Sequence, residues 1–145
     1  MTIEFKNIGK RITNQIRDFL FENKLSFYPD EELIIDDIRV EKNDNSKVYE
    51  CYLNGVLVAF IILEYFENDD ESVYEISFGK FDKNFDFSII LNQFIQSYDE
   101  KLKIFAVVES QNLARKRIYN ILEQAGFIYS YDICAGNERV FIPKK

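Results

Sequence analysis

The chain has 145 residues, 47% hydrophobic and 16% aromatic, with a formal net charge of −7 and a pI near 4.7. That length suits one domain, residues 1–145, around one core that buries about two thirds of the unfolded surface. The acidic field repels phosphate backbones and anionic lipid, so neither nucleic acid nor a membrane is an expected partner, and no apolar run approaches the length of a membrane span.

The absence of histidine removes Ser-His-Asp triads, Cys-His pairs and His-based metal sites. No metal site is expected. The N-terminus, MTIEFKNIGK, lacks the basic start and apolar core of a signal peptide, and a cytoplasmic location is expected. Cys51 and Cys134 each lie in an apolar, strand-like stretch and read as reduced, buried thiols.

In chain order, Thr2 to Lys6 alternates weakly and predicts a first strand. Ile12, Ile16, Phe19 and Leu20 then share one helical face, which predicts a helix from Gly9 to Asn23. The segment after Pro29 suits a helix start, yet Leu33 to Val40 suits a strand equally well, and both readings stay open. KVYECYL, Asn54-Gly55 and VLVAFIILEYF form a hairpin signal, because both turn residues accept positive φ. Ser72 to Phe78 predicts a third antiparallel strand.

Phe87, Ile90, Leu91, Phe94 and Tyr98 make a helical stripe, followed by a strand from Lys103 to Val108. A second stripe, Ala114, Ile118, Ile121, Leu122 and Ala125, predicts another helix, and two strands, Phe127 to Cys134 and Glu138 to Ile142, close the chain. The packing that this order suggests is an α/β (α+β) domain: a mixed, mainly antiparallel sheet of six or seven strands flanked by helices.

This order resembles the GNAT superfamily of N-acyltransferases. The resemblance covers nearly the whole chain and rests on the Asn54-Gly55 hairpin, the strand, loop and helix from Val73 to Tyr98, and Asn112, Ala114 and Tyr119 ahead of Ala125-Gly126-Phe127. It implies acetyl-CoA as co-substrate, its pantetheine arm lying in a gap between the fourth and fifth strands. It also implies a pyrophosphate loop of pattern R/Q-x-x-G-x-G/A. Counted from Phe78 as the last strand residue, Lys83, Asp86 and Ser88 stand at the R/Q, first G and G/A places. Asp86 departs from the family pattern. Its carboxylate either repels the pyrophosphate or turns back to cap the following helix.

By the same resemblance Phe78, Lys83, Ser88, Asn112 and Arg115 are the cofactor contacts, Glu75 is the general base and Tyr119 the general acid. The family tyrosine stands four residues before the Gly of Gly-Phe, where this chain has Leu122; anchoring on Asn112 instead puts Tyr119 in the role. Each residue also has a plainer reading. Glu75 reads also as an exposed strand residue, Tyr119 as edge packing, and Arg115-Lys116-Arg117 as a solvated face rather than an anion site. The expected function is transfer of an acetyl group to an amine of a small molecule or protein by direct attack in a ternary complex. Two other readings stand beside it: a GNAT-fold binding module without catalysis, and a small structural or homodimeric protein. The acidic surface favours a cationic acceptor.

Overall fold

The computed structural model describes residues 2–9, 12–22, 47–67, 72–82, 84–98, 103–110 and 112–144. Leu33 to Val40 and Lys83 lie outside them. Seven strands form one sheet: β1 (Ile3–Asn7), β2 (Lys47–Leu53), β3 (Val56–Glu67), β4 (Ser72–Lys80), β5 (Lys103–Glu109), β6 (Phe127–Ile133) and β7 (Glu138–Pro143). Their spatial order is β1-β2-β3-β4-β5-β7-β6. Three helices accompany them: α1 (Asn14–Glu22), α2 (Phe87–Ser97) and α3 (Arg115–Gln124).

The β2–β3 hairpin forms around Asn54 and Gly55 with φ of 50° and 83°, as the dipeptide predicts. The first helix starts later than its apolar spacing suggests. Gly9 has a φ of +83° and its carbonyl accepts from the Val48 N–H at 2.7 Å, which ties it to β2. The cap falls to Thr13, whose Oγ1 accepts from the Ile16 N–H at 3.2 Å. β4 also outruns its expected end at Phe78, because Phe60 and Ala59 of β3 still pair with Gly79 and Lys80.

Strand alternation sorts the core onto the two faces of the sheet. One face, formed by Ile61, Leu63, Tyr74, Ile76, Ala106, Val108 and Phe141, packs against α2 and α3 through Ile90, Leu91, Phe94 and Leu122. The other carries α1, whose Ile16 and Leu20 pack with Val48, Phe60 and Ile62. Gly79 is required there for space: a Cβ on it would sit 2.5 Å from a ring carbon of Phe19 and 2.6 Å from one of Phe60. Overpacking of that kind costs about 1–3 kcal/mol.

Every neighbouring pair of strands is antiparallel except β4–β5. That parallel ladder holds only Val73↔Lys103, Tyr74↔Ile104 and Glu75↔Phe105. From Ala106 onward β5 pairs through its other edge with β7, from Ala106↔Phe141 to Glu109↔Glu138. β4 and β5 therefore part after Glu75 and Phe105.

Candidate active site

The parting strands enclose a cleft of about 270 Å³ that opens to both faces of the sheet. On the helical face Ile76 and Phe78 of β4, Ala106 and Val108 of β5, and Ile118 and Leu122 of α3 make its wall apolar. Phe78 is fixed by stacking on Phe87, with ring centroids 4.8 Å apart and planes inclined by 16°. Asn112 reaches the cleft just ahead of α3, buried, its Oδ1 accepting from the Ala114 N–H at 2.8 Å.

The opposite face of the cleft is acidic. Glu75 lies there, and directly across the β3–β4 ladder stands Glu64. On the far side of the gap, Glu109 and Glu138 stand directly across the β5–β7 ladder. Burial pushes the Glu75 carboxyl up to about 7, with the charges of Glu64, Glu138 and Glu109 adding to the effect. Glu109 is raised as well, by burial first and then by Glu138. Among the described residues no hydrogen bond or cation meets Glu75.

Glu64, Glu109 and Glu138 were not singled out in the sequence. Each is one acidic residue in a strand, and only the cross-strand register brings them beside Glu75. No group of three or more His, Cys, Asp or Glu among the described residues is arranged to hold a metal ion.

The start of α2 is closed by its own carboxylate. Asp86 is the N-cap: its Oδ1 accepts from the Ser88 N–H at 3.0 Å and the Ser88 hydroxyl at 2.7 Å, which hold its carboxyl below the usual carboxylate range. Ser88 is buried, and its Oγ also lies 3.3 Å from Gln124 Oε1. Of the two readings of Asp86, this geometry is that of the cap. Lys80, missed because β4 was expected to end at Phe78, lies close enough to Asp86 to attract it and donates to the Phe85 carbonyl at 3.1 Å.

The start of α3 is finished differently. Its N-cap, Ala114, offers no side-chain hydrogen bond, and Arg115, Lys116 and Arg117 follow. These residues, with Leu113, line a second, open cavity of about 430 Å³. The Arg115 guanidinium reaches back to the Asn112 carbonyl at 3.4 Å.

Tyr119 is not among the residues lining the cleft. Its ring lies against Phe141 with centroids 5.5 Å apart, and the Arg139 guanidinium carbon sits 5.1 Å from its centroid. The cleft receives Leu122 instead, the residue four before Gly126. The anchoring on Gly126-Phe127, rather than on Asn112, thus matches which side chain of α3 points into the gap.

No family model matches the chain, and no curated protein matches it significantly in sequence. Solved structures match over nearly its whole length. The Campylobacter jejuni N-acetyltransferase PseH aligns at 16% identity and a TM-score of 0.62, covering 99% of this chain and 98% of that one. An aminoglycoside N(6′)-acetyltransferase from Legionella pneumophila aligns at 12% identity and a TM-score of 0.66, covering 98% and 92%. A GNAT-family acetyltransferase from Streptococcus pneumoniae aligns at 14% identity and a TM-score of 0.53, covering 95% and 98%. The protein has the fold of the GNAT N-acetyltransferases, as the order of its elements and its N-G hairpin imply.

Proposed function

We propose that the protein is an acetyl-CoA-dependent N-acetyltransferase acting on an amine by direct attack in a ternary complex. The observation that carries the reading is the gap after Glu75 and Phe105, apolar on the helical face and acidic on the other. A gap that interrupts a sheet leaves strand N–H and C=O groups along its two edges, and a narrow arm carrying amide groups can hydrogen-bond there as an added strand does. A solved structure of PseH holds acetyl coenzyme A, which supports the same co-substrate here.

The co-substrate supplies an activated thioester carbonyl. On the acidic face Glu75 accepts a proton from the attacking amine, for which a carboxyl group near 7 is well matched at neutral pH. The N–C bond forms, the C–S bond breaks, and the departing thiolate takes its proton from solvent. Tyr119 has no part in this reading, since its ring is held between Phe141 and Arg139.

Asn112 and Phe78 shape the helical side of the gap. The start of α3 is the place assigned to the phosphates: the Ala114 and Arg115 N–H groups are taken by Asn112, but those of Lys116 and Arg117, with the charges of Arg115, Lys116 and Arg117, favour an anion. Ser88 then serves the α2 cap rather than the co-substrate. Lys83, outside the described residues, keeps its proposed role as a further phosphate contact.

One observation favours the alternative of a binding module without catalysis: the carboxylate of Asp86 occupies the helix start that a pyrophosphate would use. Thermal melting with and without acetyl-CoA decides between them. At a hundredfold excess over its Kd the ligand contributes about 2.7 kcal/mol, a rise of roughly 2–8 °C for a domain of this size. Folded protein that shows no rise with millimolar acetyl-CoA or CoA would leave the binding module as the better account.

A further inference from the structure

The stretch between β4 and α2 has already used the N–H groups that a diphosphate would need. Phe81 and Asp82 donate theirs to the Val58 carbonyl at 2.7 and 3.3 Å, Asn84 donates to the Asp82 carboxylate at 2.9 Å, and Ser88 donates to Asp86 at 3.0 Å. The Ile89 N–H is turned onto the Asp86 carbonyl at 3.3 Å. A diphosphate seated there would compete for occupied donors beside two carboxylates that repel it.

Backbone shape opposes a phosphate there as well. Close approach of backbone N–H groups to phosphate is easiest at glycine, and the sequence has none between Gly79 and Gly126. Lys80 gives its ammonium to the Phe85 carbonyl at 3.1 Å, and its charge also serves Asp86. Ser88 Oγ lies 2.7 Å from Asp86 Oδ1 and 3.3 Å from Gln124 Oε1 of α3, so moving the cap aside disturbs a contact between the two helices. At the start of α3 the Lys116 and Arg117 N–H groups suffice for one phosphate group. A further phosphate would rely on the side chains of Lys116 and Arg117, which are exposed and screened by salt.

We propose that the chain reads its donor as an S-acetyl phosphopantetheine, the part of acetyl-CoA that ends at its first phosphate, and leaves the nucleotide beyond it unread. The arm lies in the gap, its phosphate lies at the start of α3, and the second phosphate and the nucleoside add little to affinity. The Asp86 cap thus changes what the donor must carry instead of removing the donor site. The proposal rests on the acetyltransferase reading for the place of the arm, but its binding step stands apart from catalysis.

The test is calorimetry on the full chain at about 0.15 M salt, where exposed charges are largely screened, with acetyl-CoA and S-acetyl phosphopantetheine as the two ligands. Their affinities should agree within about fivefold, whereas a seated second phosphate, with its charge-assisted hydrogen bonds, makes a difference of about tenfold or more. Asp82→Gly with Asp86→Gly frees the donors and removes both charges, and should raise the affinity for acetyl-CoA alone. Asp82→Asn with Asp86→Asn keeps both side-chain acceptors and should act in the same direction if the glycine pair does not fold. An unaltered chain that binds acetyl-CoA more than about fivefold tighter than the shorter ligand overturns the proposal, as does an equal gain for both ligands in the variants. Equal binding of the two ligands without acetyl transfer to any primary amine keeps the donor reading and removes the acetyltransferase one. Folded chain that binds neither ligand removes both.

Discussion

Two carboxylates of one strand, loop and helix segment have been moved in opposite directions. Asp86 is exposed at the start of α2, where hydrogen bonds from Ser88 stabilise its charged form. Glu75 lies in the floor of the gap, where burial and three neighbouring carboxylates oppose its charge. The first is a fixed anion that completes a helix; the second is a proton acceptor near neutrality. Acid–base capacity at Glu75 comes from burial and like charge, and the well-satisfied carboxylate at the start of α2 has none near neutrality.

The sharpest test of that contrast is catalytic. Replacing Glu75 with Gln keeps the shape and removes the base, so turnover with a primary amine and acetyl-CoA should fall by about 10²- to 10⁴-fold while the melting shift with acetyl-CoA persists. Asp86→Asn should leave turnover within a few-fold. A reversal of these two outcomes would exchange the roles assigned here.

Stability against pH comes next. The unfolded chain releases the Glu75 proton near 4.5 and the folded chain holds it to about 7. Between those values the folded state binds more protons, so stability falls as pH rises through the window. The shift corresponds to at most ~3 kcal/mol, less after solvent screening. Denaturant unfolding at pH 5 and 8 should show the loss in the unaltered chain and most of it abolished in Glu75→Gln. Over the same window turnover should rise as Glu75 ionises.

Smaller effects are expected at the two helix starts. Removing the Asp86 charge while keeping an N-cap, as Asn or Gly does, should change stability by only a few tenths of a kcal/mol. If the carboxylate only caps α2, acetyl-CoA affinity should rise a few-fold by calorimetry. Weaker binding would mean that Asp86 organises the phosphate site. The smallest effect is predicted for Tyr119→Phe: the side chain does not line the cleft and its ring packs on Phe141 and Arg139, so turnover should stay near wild type, and a hundredfold fall would restore Tyr119 as the acid.

The parts of this fold that were legible in the sequence are those fixed by neighbours in the chain. Asn54-Gly55 dictates its hairpin through backbone conformation alone, and the stripe from Phe87 to Phe94 dictates the buried face of α2. The start of α1 was misplaced because Gly9 is held by a bond to Val48, far away in sequence. The site divides the same way. Glu75 was found because the strand and loop around it resemble a known family, whereas Glu64, Glu109 and Glu138 become its neighbours only through register between strands. Tyr119 and Leu122 were both admissible on the spacing between Asn112 and Gly126, and packing alone separates them.

The three-pair ladder between β4 and β5 also bears on the mechanics of the molecule. Among the described residues it is the one strand ladder joining β1–β4 to β5–β7, so the sheet reads as two plates stitched along a short edge. A ligand arm bonded to both banks would lengthen that stitching. Amide hydrogen exchange should then slow on both sides of the slot together when it is filled, beyond the coupling that the shared core on the helical face already gives the two plates.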